Sequence, residues 1–246
     1  MNKSTAIVVG VGAEQGLGAA LCRRFASENY HVFVAGRTPE KIERVAASIA
    51  AAGGTADPVP TDATKEADVV RLFELGFAPD GARDPADLVV FNAGNNRRLD
   101  FRELSAEQFE DFWRVGCFAG FLVGREAARR LAPLGRGTVI FTGASASLRG
   151  KPGFAHFAAA KAGLRMISQS MAREYGPLGV HVAHVVIDGG IHGDRLLRNV
   201  PGLAAERGPN GLLDTDAVAE SYWQIHRQHA SAWTQEIELR PFKEPF

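Results

Sequence analysis

The chain has 246 residues, ordinary hydrophobic (46%) and charged (23%) fractions, and 28 basic against 28 acidic side chains. That length suits one sizeable core, and zero formal net charge argues against a nucleic-acid or anionic-membrane partner chosen by bulk electrostatics. No run approaches the ~20 apolar residues of a membrane helix. The apolar run after Lys3 is too short and too soon broken by glycine for a secretory signal. Cys22 and Cys117 stand apart without metal-ligand spacing, as thiols of a reducing compartment do. The expectation is a cytoplasmic protein.

Residues 6–10 are a β-branched run and read as a first strand; a period through Leu17, Ala20, Leu21 and Phe25 predicts a helix over 16–29. A second strand is expected at 31–35, then a helix to about residue 51, opened by Thr38 as N-cap with Pro39 in its first position. A weaker strand at 55–60 precedes a helix over 65–75, and DLVVFN at 87–92 reads as the fourth strand. Ser105 and Gln108 have capping-box spacing at the start of a helix that runs to Leu131 with a bend at Gly116. GTVIFT at 137–142 is a fifth strand, 153–175 a long helix, and VHVAHVVI at 180–187 a sixth strand. The Gly- and Pro-containing segment 189–210 reads as a lid or a disordered loop. Asp214 or Thr215 caps a further helix, and 236–239 is a final strand. This alternation predicts an α/β fold: a doubly wound, mostly parallel sheet of about seven strands with helices on both faces. One domain over 1–246 is expected, with a lid-like segment near 189–212.

The first strand runs into Gly12-x-x-x-Gly16-x-Gly18, and a helix follows at once. Glycines there admit unusual φ values and close backbone approach, and the helix end supplies free N–H groups, so the loop suits a dinucleotide's pyrophosphate. At the end of the second strand stands Gly36-Arg37. A carboxylate at that point binds ribose hydroxyls, whereas arginine suits a 2′-phosphate. NADP(H) is therefore expected in preference to NAD(H).

The glycine spacing resembles that of the short-chain dehydrogenase/reductase family. Asp62 matches the family's adenine-contacting acid. Asn92-Ala93-Gly94 matches the end of its Asn-Asn-Ala-Gly motif, with Phe91 for the first Asn, and Lys161 matches the lysine of Tyr-x-x-x-Lys. The resemblance runs the whole chain in order. It implies an NADP(H)-dependent oxidoreductase of a small carbonyl or enone, with Lys161 catalytic. It places cofactor contacts at Gly12, Gln15, Gly16, Leu17, Gly18, Arg37, Asp62, Asn92, Ala93, Gly94 and Lys161. No metal is implied, and the assembly expected is a homo-oligomer, a dimer or tetramer.

The resemblance also implies a tyrosine that passes a proton at the substrate oxygen, a serine that polarises that oxygen, and an asparagine that supports a relay water. This chain has Phe157, Ala144 and Gly116 at those positions, and its tyrosines, Tyr30, Tyr175 and Tyr222, lie elsewhere. Candidate substitutes are Ser145, His156, His192 and Asp194; His156 adjoins Phe157 but lies ~100° around a helix. After the sixth strand, where the family has Pro-Gly, this chain has Ile187-Asp188-Gly189-Gly190, a match open by one residue in register. Phe118, Phe121, Phe154 and Phe157 read either as pocket wall or as helix-interface core. His181 and His184, three apart on a strand, face opposite sides and do not share a metal. The alternative to an enzyme is a non-catalytic NADP(H)-binding sensor or partner subunit.

Overall fold

The computed structural model describes residues 2–78 and 81–245. Among them, strands β1 (Ser4–Val9), β2 (Tyr30–Gly36), β3 (Thr55–Pro60), β4 (Leu88–Phe91), β5 (Thr138–Thr142), β6 (His181–Ile187) and β7 (Glu236–Leu239) form one sheet in the order β3-β2-β1-β4-β5-β6-β7. Every pairing is parallel. The chain builds outward from β1 to β3, then returns to lay β4 on the other side of β1. That reversal opens a crevice at the carboxyl ends of the strands, where ligands of such sheets bind. Val9 is in register with Ala35 of β2 and Phe91 of β4, so the three following loops emerge side by side.

Helices α1 (Leu17–Ser27), α2 (Pro39–Ala51) and α9 (Thr215–His226) cover one face of the sheet. Helices α3 (Glu66–Phe77), α4 (Ala106–Trp113), α5 (Ala119–Leu134) and α6 (Ala155–Tyr175) belong to the other side, where α3, α5 and α6 carry the core. Along β1, Val8 points into the first core while Ile7 and Val9 point into the second. The side-chain period is two, but both faces are buried, which is why these strands read as unbroken apolar runs.

Two expectations change. The bend at Gly116 is a turn of π-helix, Arg114–Phe118, between α4 and α5. A Cβ at Gly116 would stand 2.9 Å from Ala160 Cβ on α6, so the backbone itself forms the helix contact there. The segment from 189 is not irregular: it holds two short helices, α7 (Asp194–Asn199) and α8 (Leu203–Arg207), separated and closed by Gly202 and Gly208 at positive φ. The caps at Ser105, with Gln108 reciprocating, and at Asp214 form as expected. Thr38 occupies its N-cap position, but its side chain makes no cap bond. Both cysteines are buried and free. No helix of the described residues is long and apolar enough to cross a membrane.

Candidate active site

Gly10, the first residue past β1, has φ 93°, and a Cβ there would meet Ala93 N at 2.4 Å. The loops after β1 and β4 thus touch backbone to backbone. Asn92 ties them further, its Nδ2 donating to Gly10 O at 3.4 Å. A Cβ at Gly12 would meet nothing within 4 Å, so glycine there leaves the loop bare toward the crevice. Gly16 caps α1 in extended conformation without a side-chain bond, and the first turn of α1 carries no acid. The helix's unpaired N–H groups and positive end therefore stand free for an anion. Leu17 is 5% exposed and packs into the core, so its backbone N–H alone can serve the site, a narrower role than the sequence suggested. Gln15 is exposed, and its carbonyl accepts the Asp194 N–H at 2.9 Å, drawing the start of α7 over the loop.

At the end of β2, Arg37 is exposed, and its charge reaches Asp62 in the loop after β3. Burial would raise the Asp62 carboxyl; bonds from the Thr64 hydroxyl at 2.7 Å and the Thr64 N–H at 3.1 Å outweigh it and hold the group below its ordinary value. A Cβ at Gly36 would meet Val11 O at 2.2 Å and Ile42 Cγ2 at 2.8 Å, so packing dictates glycine there.

Lys161 is 4% exposed on α6. Its Nζ donates to Thr142 O at 2.8 Å and Ala93 O at 3.4 Å, at the ends of β5 and β4. Burial pushes the ammonium down to about 8, with a small opposing pull from Cys117. A Cβ at Gly94 would stand 3.2 Å from Nζ, so a side chain there would crowd the ammonium. Phe157, four residues earlier and on the same helix face, is half-buried and offers no proton. Ala144 lies on the turn after β5, next to a half-buried Ser145 whose hydroxyl bonds Asp188.

His156 is wholly enclosed, its ring against Phe112 with centroids 4.1 Å apart and neither nitrogen in a hydrogen bond of ordinary geometry. Burial lowers its pKa, so it is a neutral core histidine and not an acid for the crevice. His192 is exposed, and Asp194 opens α7. Phe121, on α5, is 41% exposed and touches Phe118 of the π-helical turn, each under an arginine; Phe118 is half-buried and also packs against the second core.

The sequence reading missed a buried framework behind the Ala144 turn. Ser147 Oγ accepts the Ala144 N–H at 3.1 Å and lies 3.4 Å from His184 Nε2; His184 Nδ1 lies 2.9 Å from Glu236 Oε2. Arg165 grips Glu236 with two bonds of 2.7 Å. Burial pushes His184 down to about 4 against the pull of Glu236. The neutral ring thus donates from Nδ1 and accepts the serine hydroxyl at Nε2. With Ser147 5% and His184 0% exposed, this chain of bonds braces the turn and does not meet substrate. His181 instead stacks on Trp233 and bonds Thr234 O. No group of three or more potential metal ligands occurs among the described residues. Asp188, the first residue past β6, is 1% exposed and paired with Arg149 at 2.9 Å and Arg240 at 3.7 Å.

The short chain dehydrogenase family profile matches residues 5–194. A crystal structure of a short-chain dehydrogenase from Rhodopseudomonas palustris is 38% identical and superposes over 97% of this chain and 99% of that one with a TM-score of 0.80. The uncharacterized oxidoreductase YuxG of Bacillus subtilis is 32% identical over 188 residues, 75% of this chain and 27% of YuxG, so the chain spans about a quarter of that relative. A metagenomic short-chain oxidoreductase, solved in complex with NADP, shares the fold at 23% identity over 98% of this chain and 97% of that one, TM-score 0.81. A profile match over most of the sequence and a solved relative superposing on nearly all of it place this chain in the short-chain dehydrogenase/reductase family.

Proposed function

We propose that the protein is an NADP(H)-dependent oxidoreductase acting on a small carbonyl or enone without the family's serine and tyrosine. The observation that carries the reading is the bare N-terminus of α1, past β1, and the buried Lys161 ammonium, bonded past β4 and at the end of β5, the next two strands of the sheet. The residues fit a dinucleotide. Gly12 leaves a cradle that a side chain would cover. The α1 N–H groups from Gly16 to Gly18 meet the pyrophosphate, Arg37 the 2′-phosphate and Asp62 the adenine. Lys161 holds the nicotinamide ribose, with the loop of Asn92, Ala93 and Gly94 against it. The solved NADP complex of a chain with this fold supports the choice of ligand.

When bound, the dinucleotide supplies or accepts the hydride. The chain's own part is to orient the two reactants and manage one proton. Ser145 turns its hydroxyl from the Asp188 carboxylate, which Arg149 and Arg240 still hold, to donate a hydrogen bond to the substrate oxygen in place of the missing hydroxyls, and water delivers the proton. An activated alkene suits such a site, because hydride adds at carbon and the oxygen needs less help.

The test is titration of NADPH and NADH by nucleotide fluorescence, followed by NADPH oxidation with a panel of carbonyls and enones. NADPH is expected to bind about tenfold or more tightly than NADH, a difference of roughly one charge-assisted contact. Arg37→Asp is expected to remove that preference, and Lys161→Ala the turnover. Failure of both dinucleotides to bind overturns the reading. Phe157 favours a second reading, a protein that binds NADP(H) without turning it over, as sensor or partner subunit. Tight binding with no oxidation across the panel supports that reading, and turnover at ordinary enzyme rates overturns it.

A further inference from the structure

Between the loop after Gly94, helix α4 and helix α7 lies a cleft of about 460 Å³, within the range of small-molecule sites. Of its walls, only Gln108, which reciprocates the Ser105 cap of α4, has a role assigned above. Four carboxamides line it: Asn95, Asn96, Gln108 and Asn199. Each both donates and accepts hydrogen bonds, as a hydroxyl does. Asn95 Oδ1 has no hydrogen-bond partner, so this amide breaks no oxygen bond on turning to a ligand. Phe112 supplies one apolar wall for C–H groups, and Asp111 one acceptor.

The charge is unbalanced in one direction. Arg97 and Arg195 face the single carboxylate of Asp111. Arg195 donates to Gly94 O at 3.1 Å, Asn96 O at 2.9 Å and Asn96 Oδ1 at 3.1 Å, all uncharged oxygens. No carboxylate of the described residues pairs with it. The guanidinium is thus held in place by the loop with its charge unspent, and planar anions match its geometry. An aliphatic acid would satisfy the charge but leave the carboxamides facing hydrocarbon, at a cost for each. An uncharged polyol would do the reverse.

We infer that this cleft binds a small polyhydroxylated anion, a sugar acid or sugar phosphate, with its charged end toward Arg97 and Arg195 and its hydroxyls on the carboxamides. The cleft shares the Gly94 loop and α7 with the candidate active site. For the claim that this ligand is the substrate, the inference rests on the oxidoreductase reading; binding is measured without turnover.

The experiment is calorimetry on the full chain, with and without NADPH, using D-gluconate, D-glucose 6-phosphate, D-glucitol and hexanoate. Gluconate or glucose 6-phosphate is expected to bind at least about tenfold more tightly than glucitol and hexanoate, the worth of one charge-assisted hydrogen bond. Whichever of the two binds more tightly identifies the anionic group. Arg195→Gln is expected to cost that anion about tenfold and to leave glucitol unchanged. Gln108→Ala, with the thermal midpoint as a check on folding, is expected to weaken the anion several-fold. Equal affinity for hexanoate and gluconate, no binding of any probe, or unchanged affinity in both variants overturns the inference. Anions bound by a chain that takes up no NADPH would sink the oxidoreductase reading and leave the cleft's ligand class standing. NADPH bound with every anion refused would do the opposite.

Discussion

In the proposed reading, the phenyl ring of Phe157 stands in the place of a proton donor, one helical turn before the lysine that would tune such a donor. Phe157→Tyr restores a hydroxyl one helical turn from Lys161, whose ammonium favours the tyrosinate. Combined with Ala144→Ser, it is expected to raise ketone reduction on the order of 10²-fold, the usual contribution of a placed general acid. Steady-state NADPH oxidation measures this, and an unchanged rate would mean that cleft shape and not the missing hydroxyl limits turnover. That Phe157 and Lys161 share one helix face was legible in the sequence, because the two are read against one another at fixed spacing on one helix. His156 was not legible, since its enclosure depends on Phe112 of another helix. Nor was the Ser147–His184–Glu236–Arg165 framework, whose members lie on α6, β6, β7 and the turn after β5.

At the scale of the element, the capping box of α4 and the short helices α7 and α8 behave differently. Ser105 satisfies the Gln108 N–H while the Gln108 side chain returns to Ser105 N. Ser105→Ala is expected to cost about 1 kcal/mol, a fall of roughly 2–4 °C in thermal midpoint for a chain of this size. The box was predictable because its two residues are three apart. Helices α7 and α8 were not, because six and five residues are too few for apolar periodicity to declare itself. Their flanking glycines resemble those of a loop. α7 is fastened at its start by the Asp194 N–H on Gln15 O and by the Arg195 bonds to Gly94 and Asn96. If NADP(H) binds beneath it, proteolytic cleavage within 194–208 slows on adding NADPH; cleavage at the same rate would mean that α7 does not close on the cofactor.

For the whole molecule, acid is the expected weakness. Burial pushes His184 and His226 each down to about 4, whereas an unfolded histidine titrates near ~6.5. Between those values the unfolded chain binds protons that the native chain refuses, so stability rises with pH across the window and falls as pH drops through it. The loss is on the order of 2–3 kcal/mol per histidine by pH ~4. Chemical denaturation at several pH values measures it, and His184→Gln should flatten the dependence. The layered architecture was plain from the chain because strands buried on both faces leave long apolar runs; the crossing order of those strands was not, since register depends on contacts far apart in sequence. One such contact constrains what this scaffold can become. Val11 O stands 2.2 Å from where a Cβ at position 36 would be, so no side chain, acidic or otherwise, fits there without moving the first loop. On the proposed preference for NADP(H), a lineage drifting toward NAD(H), or a designer seeking that outcome, finds position 36 closed and has to work through Arg37 or the loop of Asp62.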